Sequence, residues 1–387
     1  MKKGLSLMAV ISRFAVGLVF SFSGFVKAVD PLGTAYKIEE YINVFGFFDL
    51  LQYLPWLPVV LSMVLCSLEL LIGLMLIVNL QHKTVAWTVS VMMLFFTVLT
   101  LVDAITNKVT DCGCFGEAIK LTNWQTFFKN IILDFFVVFI FLTRNHSKKH
   151  FSKIKSISLT ALLFCVILIF SGLNYRYEPM IDFRPWKEGS RMVPAEQAPP
   201  LSYALYRHNE TNEQKEFSMQ DLMTAYQEDP NFASNWTWVD TRVLNETTIA
   251  ADGFSMTPID ENKDVSLDFL YQEGYIFFVT AYDLSNLNEK AMRKIFIFAK
   301  QAQKQNHAVA LLTASPAEEC VKLLQRYPSS TIPMYYSDNK AIKTMMRSNP
   351  GLLLMRNGVV LKKWSAHCIP DFEEVDFDAL FQKYQDR

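Results

Sequence analysis

The sequence is poor in charged residues and in histidine, and it carries almost no net charge. Charged side chains make up 19% of the 387 residues, the formal net charge is −1, and there are 6 His. A near-neutral chain supplies no overall basic field, so nucleic acid is excluded as a partner. Hydrophobic residues, at 51%, are too abundant for a disordered chain. The sequence shows no internal repeat, and its length predicts two or three folding units.

Long apolar runs fill the first half of the chain. Five stretches of roughly 18–24 mainly apolar residues are each long enough to cross the ~30 Å hydrocarbon layer as a helix. They lie at 5–29, 57–80, 85–105, 124–142 and 157–173. The first run is longer than the apolar core of a secretion signal and carries Arg13, so we interpret it as a retained helix.

Lysine and arginine in the short loops predict how these helices are oriented. One set of helix ends carries a basic cluster, namely Lys2, Lys3, Lys83, Arg144, Lys148, Lys149, Lys153 and Lys155. The alternate loops, 30–56 and 106–123, mix both charges. Basic ends face the cytoplasm, so we expect the N-terminus inside and the C-terminal half outside after five crossings. The sequence therefore predicts a multi-pass protein of a bacterial inner membrane, in contact with the lipid bilayer, whose second half is periplasmic.

The second half begins with a proline-rich, charged stretch and ends in alternating strand and helix patterns. We interpret 176–263 as a tether followed by a mixed segment, with a short strand expected near 235–239. Strand patterns at 275–280, 308–313, 334–336, 351–355 and 359–364 then alternate with helix patterns at 287–305, 316–326 and 339–347. This alternation predicts an α/β domain at 264–387. The preceding residues divide into a four-helix unit at 1–145 and a basic loop with the fifth helix at 146–175.

Two of the 6 cysteines lie in the motif Asp111-Cys112-Gly113-Cys114-Phe115-Gly116, in a predicted outer loop. Gly113 permits an unusual turn, and such a pair can close a small ring if its Cα atoms come within about 4.4–6.8 Å. A strained, exposed disulfide is easily reduced, and the predicted compartment allows oxidation. The motif indicates redox chemistry at Cys112 and Cys114, with Asp111 as a supporting residue. A structural disulfide or two separate thiols are the alternatives. A metal site is disfavoured, because the loop has no His and zinc usually takes four ligands.

Ionisable residues inside the predicted helices are a second signal, because each costs at least ~2.5 kcal/mol in a bilayer unless it is paired. Arg13 and Glu69 lie at similar depth by their distances from the helix ends, so we expect them to pair, for function or to fix helix register. Cys66, one turn before Glu69, is a candidate resolving thiol or a small packing residue. Further ionisable residues are expected to line a polar pocket near the cysteine pair, namely Asp103, Lys27, Lys129 and Asp134.

These residues carry a resemblance to a known superfamily. The stretch from Arg13 to Pro31, the run Leu68-Glu69-Leu70-Leu71-Ile72-Gly73 and the cysteine motif resemble the DoxX superfamily. The Cys-Gly-Cys-Phe-Gly signature resembles its methylamine-utilisation MauE branch. The resemblance covers about residues 5–145 and implies a four-helix unit associated with the maturation of disulfide-rich periplasmic proteins. The bundle is also similar to that of vitamin K epoxide reductase-type thiol oxidases, which use Cys-x-x-Cys, and this similarity implies a quinone as a candidate electron acceptor.

The segment at about 265–387 is similar to thioredoxin-like domains. In that family a Cys-x-x-Cys follows the strand that matches 277–281, but this chain continues as Tyr282-Asp283-Leu284-Ser285. Pro350 matches the position of the family's cis-proline. The resemblance implies a thioredoxin-like fold without disulfide exchange of its own, which docks or presents a partner.

The sequence as a whole predicts a DoxX/MauE-like helical membrane bundle with a fifth transmembrane helix, followed by a periplasmic thioredoxin-like α/β domain. We expect Cys112 and Cys114 to exchange electrons with the dithiol of a periplasmic substrate or redox partner, as in a thiol-disulfide oxidoreductase. Two other interpretations stay open. In the first, the protein is a non-enzymatic anchor or assembly scaffold whose cysteine pair braces a loop. In the second, it is a small-molecule carrier that uses Arg13 and Glu69.

Overall fold

The computed structural model divides into two compact units. The first is formed by Met1–Arg184 with Trp364–Cys368, and the second by Pro185–Lys363 with Ile369–Arg387. The structure describes residues 2–109, 113–145, 152–193, 202–209, 211–218, 222, 225–226, 229, 232–243, 253–261, 263–328 and 330–384.

The first unit is helical. Over the described residues its helices are α1 (Lys2–Val29), α2 (Pro31–Val44), α3 (Phe48–Tyr53), α4 (Leu57–Val78), α5 (His82–Thr106), α6 (Asn123–Leu142) and α7 (Lys153–Arg176). Five of them, α1 and α4 to α7, are long and apolar enough to cross a membrane, which confirms the five predicted spans. The prediction lacked α2 and α3. Asp30 starts α2 by accepting a hydrogen bond from the Gly33 backbone nitrogen at 3.1 Å, and Pro31 follows in the first turn.

The helical unit has apolar side chains both inside and outside. Val16, Leu71, Val89 and Val137 are among the buried residues where α1, α4, α5 and α6 pack together. Large apolar side chains also cover the outer surface, for example Val91, Leu94, Ile132 and Phe135. A helical bundle that is apolar both in its core and on its outer surface is expected in a bilayer, where the outer surface contacts lipid rather than water.

The second unit contains two sheets within the described part of the chain. The smaller is antiparallel, in the order β2-β1-β3, and consists of β1 (Ser202–His208), β2 (Gln214–Ser218) and β3 (Trp236–Val243). A short helix, α8 (Phe232–Asn235), precedes β3. The rings of Phe217 and Phe232 pack at a centroid distance of 5.4 Å, and both contact Trp236. The strand predicted near 235–239 is confirmed as part of β3.

The larger sheet has six strands in the order β4-β7-β6-β5-β8-β9. Its elements are β4 (Thr257–Pro258), α9 (Ser266–Leu270), β5 (Tyr275–Thr280), α10 (Glu289–Lys304), β6 (Ala308–Thr313), α11 (Ala317–Arg326), β7 (Met334–Tyr336), α12 (Asn339–Met345), β8 (Gly351–Arg356), β9 (Val359–Ser365) and α13 (Phe377–Gln382). Strands β5, β6 and β7 are parallel, whereas β8 runs antiparallel to β5. This strand order with its helical crossovers resembles thioredoxin-like folds, as predicted.

Local signals in this unit agree with the structure. The predicted turn before β9 has left-handed backbone at Asn357 (φ +49°) and Gly358 (φ +74°), which suits a tight hairpin. The Asn349–Pro350 peptide bond is cis, as the resemblance implied. The core under the sheet includes Phe278 from β5 and Leu353 from β8.

The segment expected to be a tether differs from that expectation after residue 184. Trp186, Met192 and Val193 are buried in the same core as the sheet. The backbone nitrogen of Gly189 donates to the Val360 carbonyl oxygen at 2.7 Å, and that of Val360 donates to the Ser190 carbonyl oxygen at 2.9 Å. Proline and charge indicate extended backbone here, but they do not show that this backbone covers the edge strand β9.

Candidate functional site

Helices α1 and α4 approach each other closely at a stripe of small residues. A Cβ atom added to Gly24 would lie 2.3 Å from the backbone nitrogen of Leu70, and one added to Gly73 would lie 2.4 Å from the backbone nitrogen of Ser21. Both distances are shorter than real Cβ contacts, so a larger residue requires the backbones to separate. Glycine lets two membrane helices pack backbone to backbone. The crossing therefore fixes the register of α1 against α4.

This register pairs Glu69 with Lys27. Lys27 Nζ lies 2.8 Å from Glu69 Oε2, and the two side chains are only 9% and 6% exposed. Arg13 instead donates from Nε to the Leu76 carbonyl oxygen at 3.2 Å. The expected pairing of Arg13 with Glu69 is therefore wrong. Depth estimates placed the two residues together, but Arg13 lies about three helical turns from the crossing at Gly24, whereas Lys27 is about one turn away.

The described part of the cysteine motif begins at Gly113 and packs on α1. Gly113 has φ +62°, and the Gly116 backbone nitrogen donates to the Gly113 carbonyl oxygen at 3.0 Å, which closes a tight turn. Ser23 Oγ donates to the Cys114 carbonyl oxygen at 2.5 Å. The Phe115 ring packs at a centroid distance of 5.7 Å from the ring of Phe22. The unusual turn predicted at Gly113 is confirmed, and α1 holds it.

Two of the predicted site residues, Asp111 and Cys112, lie outside the described residues. The ends of their loop are tied by one side chain at the start of α6. Asn123 Nδ2 donates to the Val109 carbonyl oxygen at 2.9 Å and to the Asp103 carbonyl oxygen at 3.3 Å. The predicted capping box of Thr122 and Gln125 is also present. The two helices that flank the loop are thereby held together.

Asp103 is buried in the last turn of α5, where it joins α5 to α2. Tyr41 Oη donates to Asp103 Oδ2 at 2.5 Å. Asp134 behaves similarly farther along α6, because its Oδ2 accepts a hydrogen bond from Thr97 Oγ1 at 2.7 Å. Both carboxyl groups therefore link neighbouring helices through hydroxyl donors.

The buried ion pair shares its surroundings with thiols. Cys114 in the loop borders the same two cavities as Lys27, and Cys66 precedes Glu69 by about one turn of α4. Cys66 is fully buried, and its Sγ lies 3.8 Å from Ser62 Oγ. A small cavity of about 30 Å³ is bordered by Lys27, Glu69 and Cys114, and also by Ser23, Lys129 and Asn130. The structure thus brings Cys114 and Glu69 to one cavity, with Lys27 rather than Arg13 as the partner of Glu69. Cys66 lies one turn of α4 away from Glu69.

A larger pocket opens beside Cys114. Its volume is about 490 Å³, within the usual range for small-molecule sites. The walls are mainly apolar and include Leu57, Leu61, Phe95, Phe96 and Leu99. Lys27, Tyr41 and Cys114 also border the pocket. An apolar molecule with a reactive ring could therefore bind within reach of the thiol. Among the residues that the structure describes, no three His, Cys, Asp or Glu side chains are grouped to hold a metal ion.

The cysteine loop and the buried ion pair lie in a region that matches a known family. Residues 5–143 match the family described as Methylamine utilisation protein MauE. This MauE-like region contains α1 to α6, the Lys27–Glu69 pair and the loop around Cys114. The match confirms the predicted resemblance to MauE for this part of the chain.

A curated relative and several solved structures are also similar to parts of the chain. Protein TlpB from Flavobacterium psychrophilum is 28% identical over 163 residues, which cover 40% of this chain and 43% of TlpB, so the chain spans less than half the length of that relative. A putative thioredoxin from Neisseria meningitidis overlaps 34% of this chain and 85% of its own, with 22% identity and a TM-score of 0.25. A thiol:disulfide interchange protein from Bacteroides sp. overlaps 34% of this chain and 83% of its own, with 12% identity and a TM-score of 0.24. The likeness of the α/β unit to thioredoxin-like folds rests on its strand order and not on these overlaps.

Sequence reasoning missed three features of the MauE-like region: the hydrogen bond from Ser23, the clamp by Asn123 and the pairing of Lys27 with Glu69. One signal for the pairing is present in the sequence. Gly17, Ser21 and Gly24 recur every three or four residues along one face of α1. Such a stripe predicts a close helix crossing, and Gly73 in α4 is its counterpart.

Proposed function

We propose that the MauE-like region carries out thiol-disulfide exchange through Cys112 and Cys114 with a partner protein outside the bacterial inner membrane. The observation that supports this most is the buried Lys27 side chain, which borders the same small cavity as Cys114. A neighbouring cation stabilises a thiolate, so it favours the departure of this cysteine when a partner attacks the disulfide of the pair. The basic helix ends on the opposite side support the periplasmic placement of the loop.

The exchange transfers two electrons from the partner to the cysteine pair. A thiolate of the partner attacks the Cys112–Cys114 disulfide, so that one mixed disulfide forms and one cysteine of the pair leaves as a thiolate. The partner's second thiolate then attacks the mixed disulfide. The partner leaves with a new disulfide, and Cys112 and Cys114 are both reduced.

We further propose that a lipid-soluble quinone re-oxidises the pair. When bound, it accepts the two electrons and two protons released as two thiols become one disulfide. The pocket beside Cys114 fits such a molecule, because Leu61, Phe95 and Phe96 offer apolar walls to a ring and tail. Lys27 and Cys114 would lie next to the ring.

The thioredoxin-like unit serves in this proposal as a docking module without redox chemistry of its own. The segment that follows β5, from Tyr282 to Asn288, contains no cysteine. A module tethered to the bundle raises the effective concentration of a bound partner near the cysteine pair.

Exchange through the pair is tested with the variants Cys112→Ser and Cys114→Ser in membranes. One single variant is expected to accumulate mixed disulfides with the oxidised partner, because its remaining thiolate can attack the partner's disulfide but no second cysteine of the pair is present to resolve the adduct. The double variant should form none and leave the partner reduced. Adducts are trapped by rapid alkylation and separated on non-reducing gels, and Cys368→Ser, at an exposed cysteine, is the control. If the partner's thiols are oxidised to the same extent in the double variant as in the parent, the protein is better described as an anchor or scaffold in which the cysteine pair only braces a loop.

Quinone binding is tested by filling the pocket. Leu61→Trp places a large ring in the pocket wall and is expected to slow anaerobic oxidation of the reduced pair by a short-chain quinone about tenfold or more in nanodiscs, since contact with the ring is required for electron transfer. Leu94→Trp is the matched control, because Leu94 is 66% exposed on the outer surface of α5. Equal rates for the two variants would place the acceptor elsewhere.

A further inference from the structure

The Lys27–Glu69 ion pair is costly where it lies. Both side chains are almost completely buried, and removing two charges from water costs several kcal/mol per ion, which their attraction offsets only in part. An apolar pair would fill the same space without this cost. Helix register does not require the ion pair, because the close contacts at Gly24 and Gly73 already set it. The charges are therefore available for chemistry.

The small cavity connects this ion pair to the reactive thiol. Lys27, Glu69 and Cys114 all border its volume of about 30 Å³. Such a volume accommodates a water molecule, which needs polar partners of the kind that Ser23 and Asn130 provide at the same cavity. One water in this cavity would border both Cys114 and Glu69.

We propose that Lys27 and Glu69 exchange charge with Cys114 during the reaction. The S–H bond of Cys114 breaks, its proton passes to the Glu69 carboxylate to form an O–H bond, and the Lys27 ammonium shifts from Glu69 to the new thiolate. The inference rests on the proposed thiol-disulfide exchange and names the residues that balance its charge. No net charge is created in the cavity, so the thiolate forms without the cost of burying an additional ion.

Other ionisable groups lie around the same cavities, and their effects on Cys114 have to be distinguished from those of Lys27 and Glu69. They are the Cys66 thiol in α4, Lys129 in α6, Asp30 and Lys37 around α2, and Glu117 in the loop itself. From α5 the small cavity is bordered by Met93 and Phe96, which are uncharged. Lys129 offers the matched comparison, because it borders the small cavity while its Nζ lies 4.6 Å from the centre of the Phe115 ring.

The first test measures alkylation of Cys114 by peptide mass spectrometry across pH, in full-length Cys112→Ser protein in nanodiscs. Lys27→Gln should slow alkylation at neutral pH about tenfold, because the thiolate loses its cation and faces an unpaired carboxylate. Glu69→Gln should accelerate it about tenfold, because Lys27 then interacts with the thiolate alone. The double variant should return toward the parent rate, and Lys129→Gln should change the rate less than about threefold. A merely structural pair would shift both single variants in the same direction, and that result would overturn the proposal.

The second test follows the proton. Reduction of the Cys112–Cys114 disulfide should produce the infrared band of a protonated carboxyl group, which Glu69→Gln abolishes and Glu117→Gln retains. If Glu69→Gln alone does not fold, the infrared band is measured in the double variant Lys27→Gln/Glu69→Gln, which leaves no buried charge unpaired. A band that persists in the double variant would overturn the proposal. Neither test needs a partner protein, so charge exchange can succeed where exchange with a partner fails, and the two failures can be told apart.

Discussion

Gly24→Ala is expected to destabilise the helical bundle by about 2–3 kcal/mol, although alanine is intrinsically the better helix former by about 1 kcal/mol. The added Cβ would lie 2.3 Å from the Leu70 backbone nitrogen and 2.6 Å from its Cα. Because both atoms belong to the backbone of α4, no side-chain movement relieves the overlap, and the two helices have to separate. Thermal unfolding in nanodiscs measures the loss.

Separation of α1 from α4 should also impair the site. Lys27 lies one turn from Gly24, so its 2.8 Å contact with Glu69 should lengthen, and the alkylation rate of Cys114 should change with it. Gly172→Ala is the matched control, because a Cβ on Gly172 in α7 meets nothing within 4 Å. That variant should be as stable as the parent or slightly more stable. Equal stability of the two variants would show that α1 and α4 do not pack backbone to backbone.

Arg184→Met is expected to destabilise the first unit by about 3–5 kcal/mol. The Arg184 side chain is 1% exposed, with Nη2 at 2.7 Å from Glu178 Oε2 and Nε at 2.7 Å from Asp182 Oδ1. Burial by itself lowers the pKa of Arg184, but the carboxylates of Glu178 and Asp182 outweigh burial and raise it, so the guanidinium stays charged. Methionine fills much of the same volume but leaves two carboxylates facing each other without a cation.

The measurement is the thermal unfolding midpoint of the full-length protein in nanodiscs. Arg176→Met is the matched control, because Arg176 is exposed at the end of α7. Its loss should stay within about 0.5 kcal/mol. An Arg184→Met variant as stable as this control would mean that the segment after α7 contributes little to the unit.

Local features of the fold could be predicted from the sequence because they depend on a few neighbouring residues. The strand at Ala308–Thr313 was predicted with its observed bounds, since a short apolar run between polar turns leaves few alternatives. The hairpin turn at Asn357 and Gly358 and the capping box at Thr122 follow from residue types with strong backbone preferences. The five apolar helices follow from length and composition.

The candidate site could be predicted only in part. Cys114 and Glu69 were singled out by residue type, because a Cys-Gly-Cys turn and a carboxyl group in an apolar helix are both unusual. The partner of Glu69 was assigned to Arg13 from depth, and the structure shows Lys27 in its place. Depth along a helix ignores which face each residue occupies and where two helices cross.

The amino-acid sequence alone determined the five long apolar helices, the alternating strands and helices of the α/β unit from residue 275 onward, and which residues have unusual chemistry. Only the tertiary structure decided that Lys27 pairs with Glu69, that both share a cavity with Cys114, and that Trp186 belongs to the core of the α/β unit. The physical reason is the distance along the chain over which each effect acts. Backbone preference and apolar periodicity act over a few residues, whereas the partner of a buried charge depends on the packing of distant segments, here a crossing that glycine allows to within backbone contact.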